Sequence, residues 1–598
     1  MKKDYIIDGN EACALGAYLF SEICGIYPIT PASPMATLTD KWSNEGKKNL
    51  FNDTVKVVEM QSEAGAVAVT HGALQAGCLG TTFTASQGLL LMIPTMYKMA
   101  GEMLPGVIHV AARSLATHAL SIFGDHQDIY ATRSTGFCML SSSSVEEAYY
   151  MSIISHLSAI EGSLPFLHFF DGFRTSHELN KVSLVDTEEI RKLIDYKKVY
   201  EFKNKALNIG KEITRGTSET GDVYFQNTEV RNKYYNDMPD IVNRYMEKIN
   251  TLAFTDYKPF NYYGKKDASD IIIAMGSVCS TIRTVVDILN KKGYRVGMIE
   301  VHLYRPFSTK YLLNVLPKSV ERIAVLDRTK EPGSTGEPLY LDIMEALKKK
   351  NISIYGGRYG LSSKDVPLKD INAVFENLFS DNPKNNFTIG INDDVTHLSL
   401  EPKEIEVQRD YKEIKVYGFG SDGMVGASKN FIKVLGEIKD NYVQGYFEYD
   451  SKKSGGTTIS HLRVGPTKIE APYFLTSPDF VVVSKDVYLN NYHLLKDIKN
   501  GGILLISSDK TDEELNNLIN NDNKKEIINK NIKVYIASLD KLNKKYNLHG
   551  KINNIMCTYM FKIAGYGRNE IDAFKKLVTK TYSSKGNDVV ENNINAID

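Results

Sequence analysis

The segment Gly25–Asp128 constrains the fold of this chain most, because its main stretches consist of small, aromatic and hydroxyl side chains with few charges. These stretches read GIYPITPASPMA, VVEMQSEAGAVAVTHGALQAG, TFTASQGLLLMIP and HVAARSLATHALSIFGDHQD. Such sequences predict a buried environment, where a carboxylate or guanidinium is costly unless a partner compensates it. The first candidates for contact with a ligand are therefore the ionic groups of Glu63, Arg113, Asp125 and His126.

Apolar runs that alternate with helical stretches predict an α/β protein of several domains, built on doubly wound parallel sheets. Runs such as GVIHVAA and PFLHFFD indicate buried strands, and VEEAYYMSIISHLSAI indicates an amphipathic helix. ASDIIIAMGS opens a second strand-and-helix unit, and KEIKVYGFGSDGMVGASKN opens a third. We therefore predict three domains, over residues 1–263 (with a helical extension from about Val182), 264–410 and 411–598.

Composition excludes several classes of function. Lys plus Arg equals Asp plus Glu at 72 each, so no net field favours nucleic acid or an anionic membrane. The longest apolar run, Gly88–Pro94, is too short to span a bilayer, and no apolar signal segment follows the first lysines. The six cysteines form no C-x-x-C pair, so they predict neither zinc nor an iron–sulfur cluster, and scattered thiols fit the cytoplasm. The motifs of serine hydrolases and P-loop NTPases are missing from the sequence.

The proline-rich stretch GIYPITPASPMA predicts a rigid loop that could recognise a small ligand. Pro28, Pro31 and Pro34 restrict the backbone, and Thr30 and Ser33 offer hydroxyl groups between them. Pre-organised polar groups bind a ligand with little loss of entropy. The alternative is a stiff connection between a strand and a helix.

Two charged residues stand where a ligand site is expected. Glu63 begins a helix of small residues, so its carboxylate could share a proton with a ligand nitrogen, or it could simply interact with the helix dipole. Arg113 follows the strand GVIHVAA, at the strand end where α/β folds bind ligands, and its guanidinium matches a carboxylate. For His126, beside Asp125, a structural role is the simpler interpretation.

The third unit carries two weaker signals. Gly418-x-Gly420-x-x-Gly423 lies between a strand and a helix, as a phosphate-binding turn does, although Asp422 argues against bare phosphate. Lys452, Lys453 and Arg463 flank a glycine-containing loop and could contact phosphates. A solvated basic loop is the alternative.

Taken together, these motifs resemble the pyruvate:ferredoxin (flavodoxin) oxidoreductase family. The resemblance rests on GIYPITPASPMA, VKVVEMQSEAGAVAVTHGALQAG, ALSIFGDHQD, PFLHFFDGFRTSHE, VHLYRPF, LDRTKEPGSTGEPLYLD, GGRYGLSSKD, GFGSDGMVGASKN and YDSKKSGGTTISHLRVGP. It extends over essentially the whole chain in family order. It implies a thiamine pyrimidine-binding domain, a transketolase C-terminal-like domain and a 2-oxoacid oxidoreductase gamma-type domain associated with CoA.

The family resemblance also implies a reaction and roles for residues. Members decarboxylate pyruvate on thiamine pyrophosphate, form acetyl-CoA and pass electrons through [4Fe–4S] clusters to ferredoxin or flavodoxin. By motif, Thr30 would hydrogen-bond the substrate, Arg113 would hold its carboxylate, and Glu63 would contact the aminopyrimidine nitrogen and promote its imino tautomer. The expected CoA contacts are Gly420, Lys452, Lys453 and Arg463.

One departure from the single-chain pattern of the family is large. The ferredoxin-like cysteine runs and the second thiamine domain, whose G-D-G motif serves Mg²⁺ and the diphosphate, are not found in these residues. We therefore expect a split cytoplasmic enzyme whose partner chain carries the clusters and the diphosphate site, in a homodimer or heterotetramer. The alternatives are a truncated, non-catalytic paralogue that acts as a binding or assembly partner, and an oxidoreductase for another 2-oxoacid or with NADP as acceptor.

Overall fold

The computed structural model describes residues 2–207, 209–438, 440–449, 456–548 and 552–598. These residues divide into two compact units. The first comprises Met1–His177, Val182–Val407 and Ala471–Tyr473, and the second comprises Glu178–Lys181, Gln408–Glu470 and Phe474–Asp598.

Among the described residues, fifteen strands precede residue 400. They are β1 (Lys2–Ile7), β2 (Ile23–Ile26), β3 (Lys56–Glu59), β4 (Gly80–Thr84), β5 (Val107–Ala112), β6 (Cys138–Ser142), β7 (Phe166–Asp171), β8 (Leu179–Val185), β9 (Phe260–Gly264), β10 (Asp270–Ala274), β11 (Val296–Val301), β12 (Leu303–Arg305), β13 (Arg322–Asp327), β14 (Ser353–Arg358) and β15 (Phe387–Thr388). The first residues of β8 belong to the second unit.

The helices of the first unit are α1 (Gly9–Phe20), α2 (Ser33–Asn44), α3 (Glu63–Gln75), α4 (Ser86–Gly101), α5 (Gln127–Ala131), α6 (Val145–Gly162), α7 (Thr187–Arg191), α8 (Tyr196–Asn204), α9 (Gly221–Val230), α10 (Asn232–Ala253), α11 (Val278–Lys291), α12 (Thr309–Val315), α13 (Pro338–Leu347) and α14 (Leu368–Phe379), with a 3₁₀ turn at Leu361–Ser363. Helices α7 to α10 fall in the predicted helical extension. Within the described residues, no helix has both the length and the apolarity needed to cross a bilayer.

The first sheet has the strand order β12-β6-β7-β5-β4-β2-β3, and all its pairings are parallel except that of β12 with β6. Every residue of β5 and β7 is buried, as expected for continuous apolar runs in a sheet covered on both faces. Helices α1 and α6 pack together in the core on one side of this sheet. The parallel arrangement brings the carboxyl ends of β2, β3, β4, β5 and β7 to one edge.

The second sheet has the order β15-β14-β13-β10-β11-β9, and only the edge strand β9 is antiparallel to its neighbour. Its core is continuous with the other face of the first sheet, because Met92 and Met96 of α4 share a cluster with Ile271 and Ile299. Strand β12 lies in the predicted domain 264–410 but pairs with β6 of the first sheet.

The second unit contains β16 (Lys412–Phe419), α15 (Met424–Glu437), β17 (Tyr442–Tyr449), β18 (Thr457–Gly465), β19 (Phe480–Val483), α16 (Tyr488–Asn491), β20 (Ile503–Ser507), α17 (Asp512–Leu518), α18 (Asn521–Asn529), β21 (Lys533–Ala537), α19 (Leu539–Lys545), α20 (Asn553–Ile563), α21 (Arg568–Tyr582), a 3₁₀ turn at Ser583–Lys585 and α22 (Asn587–Ile597).

The α/β class predicted from the sequence is confirmed, but the sheet of the second unit is mixed rather than wholly parallel. Strands β16, β19, β20 and β21 run parallel, whereas β18 is antiparallel to both β16 and β17. The antiparallel hairpin of β17 and β18 adds to the edge of the parallel strands. The hydrophobic pattern of β17 and β18 does not distinguish parallel from antiparallel pairing.

Candidate functional site

The carboxyl edge of the first sheet gathers the three residues predicted to act. Thr30 lies in the loop after β2, Glu63 begins α3 after β3, and Arg113 directly follows β5. Because these strands are parallel, the loops that carry the three residues open on the same side of the sheet. The structure therefore brings them to one edge, and it joins Arg113 and Thr30 directly.

The Arg113 guanidinium is buried, with 8% of the residue exposed. Its Nη1 donates to the Thr30 carbonyl oxygen at 2.8 Å, and its Nε donates to the Ser121 carbonyl at 3.4 Å. Burial lowers the pKa of Arg113, an effect that the nearby Asp128 carboxylate opposes. No hydrogen bond from Nη2 is found in the described part of the chain, so the Nη2 side of the guanidinium can still bind an anion.

Glu63 is 6% exposed and is the first residue of α3, whose N-cap Ser62 accepts a hydrogen bond from the Gly65 amide. No hydrogen bond or ion pair to its carboxylate is seen among the described residues. Thr84, at the end of β4, has a buried hydroxyl that also lacks a partner within the same residues. Gly88 approaches both groups, since a Cβ atom on it would be 2.7 Å from Glu63 Oε1 and from Thr84 Oγ1.

Asp128 connects these elements, although the sequence did not single it out. Its Oδ2 accepts from the Ser86 amide at 2.7 Å and from the Arg113 amide at 3.0 Å, and its Oδ1 accepts from the Ile129 amide at 2.8 Å. Burial raises the pKa of Asp128 to about 8, against the lowering effect of these three N–H donors. The carboxyl group thereby ties the end of β5 to the start of α4.

His126 belongs to a buried charged cluster. Its Nε2 lies 2.5 Å from Asp171 Oδ1, and Asp171 Oδ2 accepts from Arg328 Nη1 at 2.7 Å and from the Ser277 amide at 3.0 Å. Burial alone would raise the pKa of Asp171, but Arg328 and His126 hold it below its usual range. Ser277 and Arg328 follow β10 and β13, so the cluster links the carboxyl edges of the two sheets of this unit. The Nδ1 atom of His126 is buried and has no hydrogen-bond partner among the described residues, so a structural role for this histidine stays a prediction.

In the second unit, the glycine turn after β16 contains the carboxylate of Asp422, which binds backbone amides beside the turn. The Asp422 carboxylate accepts from the Phe419 amide at 2.7 Å and from the Met424 amide at 2.8 Å. The Gly420 amide donates to the Gly456 carbonyl at 2.8 Å. Asp422 therefore occupies the amides on either side of the turn, at the end of β16 and the start of α15, which could otherwise bind a phosphate.

Arg463 lies in the interior of the second unit with 1% of its surface exposed. Its Nε is 3.1 Å from Glu413 Oε1, and its Nη1 donates to Gln444 Oε1 at 2.9 Å. In this arrangement the guanidinium stabilises the strands that surround it, and a contact with CoA remains a prediction. Lys452 and Lys453 lie outside the described residues.

Three family profiles match the chain. "Pyruvate flavodoxin/ferredoxin oxidoreductase, thiamine diP-bdg" matches residues 15–247, "Pyruvate:ferredoxin oxidoreductase core domain II" matches residues 268–371, and "Pyruvate ferredoxin/flavodoxin oxidoreductase" matches residues 413–598.

Similar proteins extend well beyond the length of this chain. It is 50% identical over 599 residues to the pyruvate:ferredoxin oxidoreductase of Moorella thermoacetica, covering 99% of this chain and 51% of that protein. It is 44% identical over 610 residues to the NADP(+) pyruvate dehydrogenase of Cryptosporidium parvum, covering 100% of this chain and 32% of that protein. A solved 2-oxoglutarate:ferredoxin oxidoreductase from Magnetococcus marinus aligns with a TM-score of 0.45 at 17% identity, over 59% of this chain and 62% of that one.

The chain thus spans about half the length of the Moorella relative. The three profiles match in consecutive segments that cover most of the sequence, with one profile for each predicted domain. The chain therefore belongs to the pyruvate:ferredoxin/flavodoxin oxidoreductase family.

Proposed function

We propose that this chain provides the pyruvate-binding and thiamine-pyrimidine-binding part of a pyruvate:ferredoxin (flavodoxin) oxidoreductase. The complete enzyme would oxidatively decarboxylate pyruvate to acetyl-CoA and CO2 and pass the electrons to ferredoxin or flavodoxin. The observation that carries this proposal is the position of Arg113, whose buried guanidinium lies at the carboxyl edge of a parallel sheet and whose Nη2 has no hydrogen bond within the described residues.

Arg113 fits the carboxylate of a small 2-oxoacid. Two of its nitrogens are fixed by carbonyl oxygens, so the orientation of the guanidinium plane is set before substrate arrives. The buried setting strengthens a charge-assisted hydrogen bond to a carboxylate. Thr30 is held beside it through its own carbonyl group, and its exposed side chain could reach the substrate.

Glu63 fits the pyrimidine of thiamine diphosphate. A buried carboxylate and the neighbouring Thr84 hydroxyl, neither with a partner in the part of the chain that the structure describes, suit a ligand that presents ring nitrogen and amino groups. Glu63 would hold the ring and exchange a proton with its nitrogen. When bound, thiamine diphosphate supplies the electron sink for cleavage of the bond to the substrate carboxylate.

Other parts of the reaction are assigned to residues beyond this sequence. We place the [4Fe–4S] clusters and the Mg²⁺–diphosphate site on a partner chain, in a homodimer or heterotetramer. CoA would bind at the gamma-type domain, with Gly420, Lys452, Lys453 and Arg463 as the proposed contacts. The three domains would occupy residues 1–263, 264–410 and 411–598.

The test is co-expression of the chain, under anaerobic conditions, with a candidate polypeptide that carries ferredoxin-like cysteine motifs. We expect a complex that reduces methyl viologen only when pyruvate, CoA and thiamine diphosphate are all present. NADP(+) in place of the dye, and 2-oxoglutarate in place of pyruvate, test the other acceptor and substrate. A complex without any of these activities would support the non-catalytic paralogue, and the absence of both complex and activity would refute the split enzyme.

A further inference from the structure

A cysteine and two histidines converge in the core of the first unit, apart from the carboxyl edge. Cys13 lies on α1, His109 on β5 and His168 on β7, and all three are fully buried. Cys13 Sγ is 3.7 Å from His168 Nδ1, and the two Nδ1 atoms are 2.9 Å apart. The three atoms all lie within 4.8 Å of one another.

The remaining ring nitrogens of both histidines are also paired. His109 Nε2 lies 3.2 Å from His156 Nε2, and His168 Nε2 lies 2.8 Å from Ser142 Oγ. Histidines that bind a metal through one nitrogen characteristically donate the other N–H to such a partner, which fixes the tautomer and the ring orientation. His109 and His168 therefore have the surroundings of ligands that bind through Nδ1.

Hydrogen bonds pair every ring nitrogen of His109 and His168, but Cys13 Sγ contacts a nitrogen that is already paired. Each Nδ1 has either one proton or one lone pair, so a single proton is shared between His109 and His168. Cys13 can then contact His168 Nδ1 only by sharing the same proton or the same lone pair. A cation would instead accept an electron pair from Sγ and from both nitrogens at once.

We propose that Cys13, His109 and His168 bind a d¹⁰ metal ion, either Cu⁺ or Zn²⁺. Tetrahedral bonds of about 2.0 Å to nitrogen and about 2.3 Å to sulfur place two nitrogen ligands about 3.3 Å apart and a nitrogen and a sulfur ligand about 3.5 Å apart. The observed distance of 2.9 Å between the two Nδ1 atoms would have to widen slightly, the 3.7 Å between Cys13 Sγ and His168 Nδ1 is close to the expected value, and Cys13 Sγ lies within 4.8 Å of His109 Nδ1. A thiolate with two imidazoles is a ligand set suited to either ion.

Charge balance favours Cu⁺ over Zn²⁺ at this position. The Cys13 thiolate neutralises a monovalent ion, whereas a divalent ion would leave one positive charge in a fully buried site. None of the ligands or their paired neighbours, His156 and Ser142, is a carboxylate that could offset it.

The test is the metal content of the full chain, purified from cells supplied with copper or with zinc and then washed with a chelator for the ion in question. We expect about one equivalent of Cu⁺ or Zn²⁺ per chain in the wild type, and less than a tenth of that in Cys13→Ser and in His168→Gln. Cys138→Ser is the matched control, because Cys138 is also fully buried but lies outside the cluster, and it should keep the metal.

The metal content of protein from copper-supplied cells, compared with that of protein from zinc-supplied cells, decides between Cu⁺ and Zn²⁺. A wild type that holds no more metal than Cys13→Ser would overturn the proposal and leave a hydrogen-bonded cluster of neutral side chains. If neither variant folds, the wild type alone decides. Co²⁺ supplied during expression should then give a thiolate-to-metal absorption band, and its absence together with metal-free protein would refute the site.

Discussion

Gly88 lies directly against Glu63, so that a Cβ atom on the glycine would come within 2.7 Å of both Cγ and Oε1 of the glutamate. It would also come within 2.7 Å of Thr84 Oγ1. Gly88 is in the first turn of α4, and its lack of a side chain lets this helix approach the start of α3. The position of the Glu63 carboxylate therefore depends on this glycine.

We expect Gly88→Ala to displace Glu63 and to lower kcat of the assembled enzyme by tenfold or more, with an overpacking cost of about 1–3 kcal/mol in the free energy of unfolding. Steady-state kinetics at saturating thiamine diphosphate and chemical denaturation measure the two effects. Gly72→Ala is the matched control, because nothing lies within 4 Å of its added Cβ in α3. It should stabilise the protein by up to about 1 kcal/mol and leave kcat unchanged. Equal kinetics for both variants would show that Glu63 has room to move.

Glu63→Gln should lower kcat far more than it changes KM for pyruvate, because the amide keeps the shape of the carboxylate but cannot exchange a proton. A hundredfold loss is the expected order for a missing proton partner. Glu59→Gln, an exposed residue at the end of β3, is the control. A Glu63→Gln enzyme with near-normal kcat would remove Glu63 from the proton-transfer step.

Arg113→Ala should raise KM for pyruvate strongly, since it removes the cation expected to bind the substrate carboxylate. A loss of about 2–4 kcal/mol, or roughly 30-fold to 1,000-fold in kcat/KM, is typical for one partner of a buried charge pair. Arg244→Ala is a suitable control, because that guanidinium is partly exposed and pairs with Glu161. If Arg113→Ala lowers kcat/KM no more than Arg244→Ala does, the substrate carboxylate binds elsewhere.

Much of this architecture follows from the sequence. Strands such as β5 and β7 are continuous apolar runs, and charged residues that follow them mark the carboxyl edge of a parallel sheet. Position along the chain was thus enough to place Arg113 at the carboxyl edge of the first sheet. The partner of its Nη1, the Thr30 carbonyl, depends on the backbone path of the loop after β2 and could not be inferred from residue types.

Other features depend on contacts between distant residues. The environment of Arg463 can be predicted only when the pairing of β16, β17 and β18 is known, because this pairing brings Glu413 and Gln444 around the guanidinium. Asp128 stood within the motif GDHQD, but its role is set by amides at Ser86 and Arg113, which are far from it in sequence. A buried carboxyl group near several strand ends is the signal that could have identified it.

Asp128 should make the stability of the protein depend on pH. Its pKa of about 8 lies above the value of about 3.9 in an unfolded chain, so folding favours the protonated form. This contribution is fully present below about pH 4 and is lost as the pH rises through about 8. The neighbouring Asp125 carboxylate acts in the same direction.

We therefore expect the unfolding free energy of the wild type to fall between pH 5 and 8 more steeply than that of Asp128→Asn. Urea denaturation at a series of pH values measures the difference. Asp240→Asn, at a surface residue paired with Lys310, should retain the wild-type slope. If Asp128→Asn retains it as well, the three amide donors keep Asp128 ionised in the folded state.

Arg463 offers a test that separates a structural role from binding of CoA. Its replacement by methionine would leave Glu413 with Arg409 as its remaining cation and Gln444 without a donor from the guanidinium. Breaking a buried pair in this way costs about 3–5 kcal/mol, so Arg463→Met should lower the free energy of unfolding by an amount of that order. Arg568→Met is the control, because that side chain is 94% exposed and its loss should change the stability by less than about 0.5 kcal/mol. Denaturation of both variants, together with KM for CoA in the assembled enzyme, distinguishes the two roles. A stable Arg463→Met protein with a raised KM for CoA would show instead that this guanidinium contacts the cofactor during turnover.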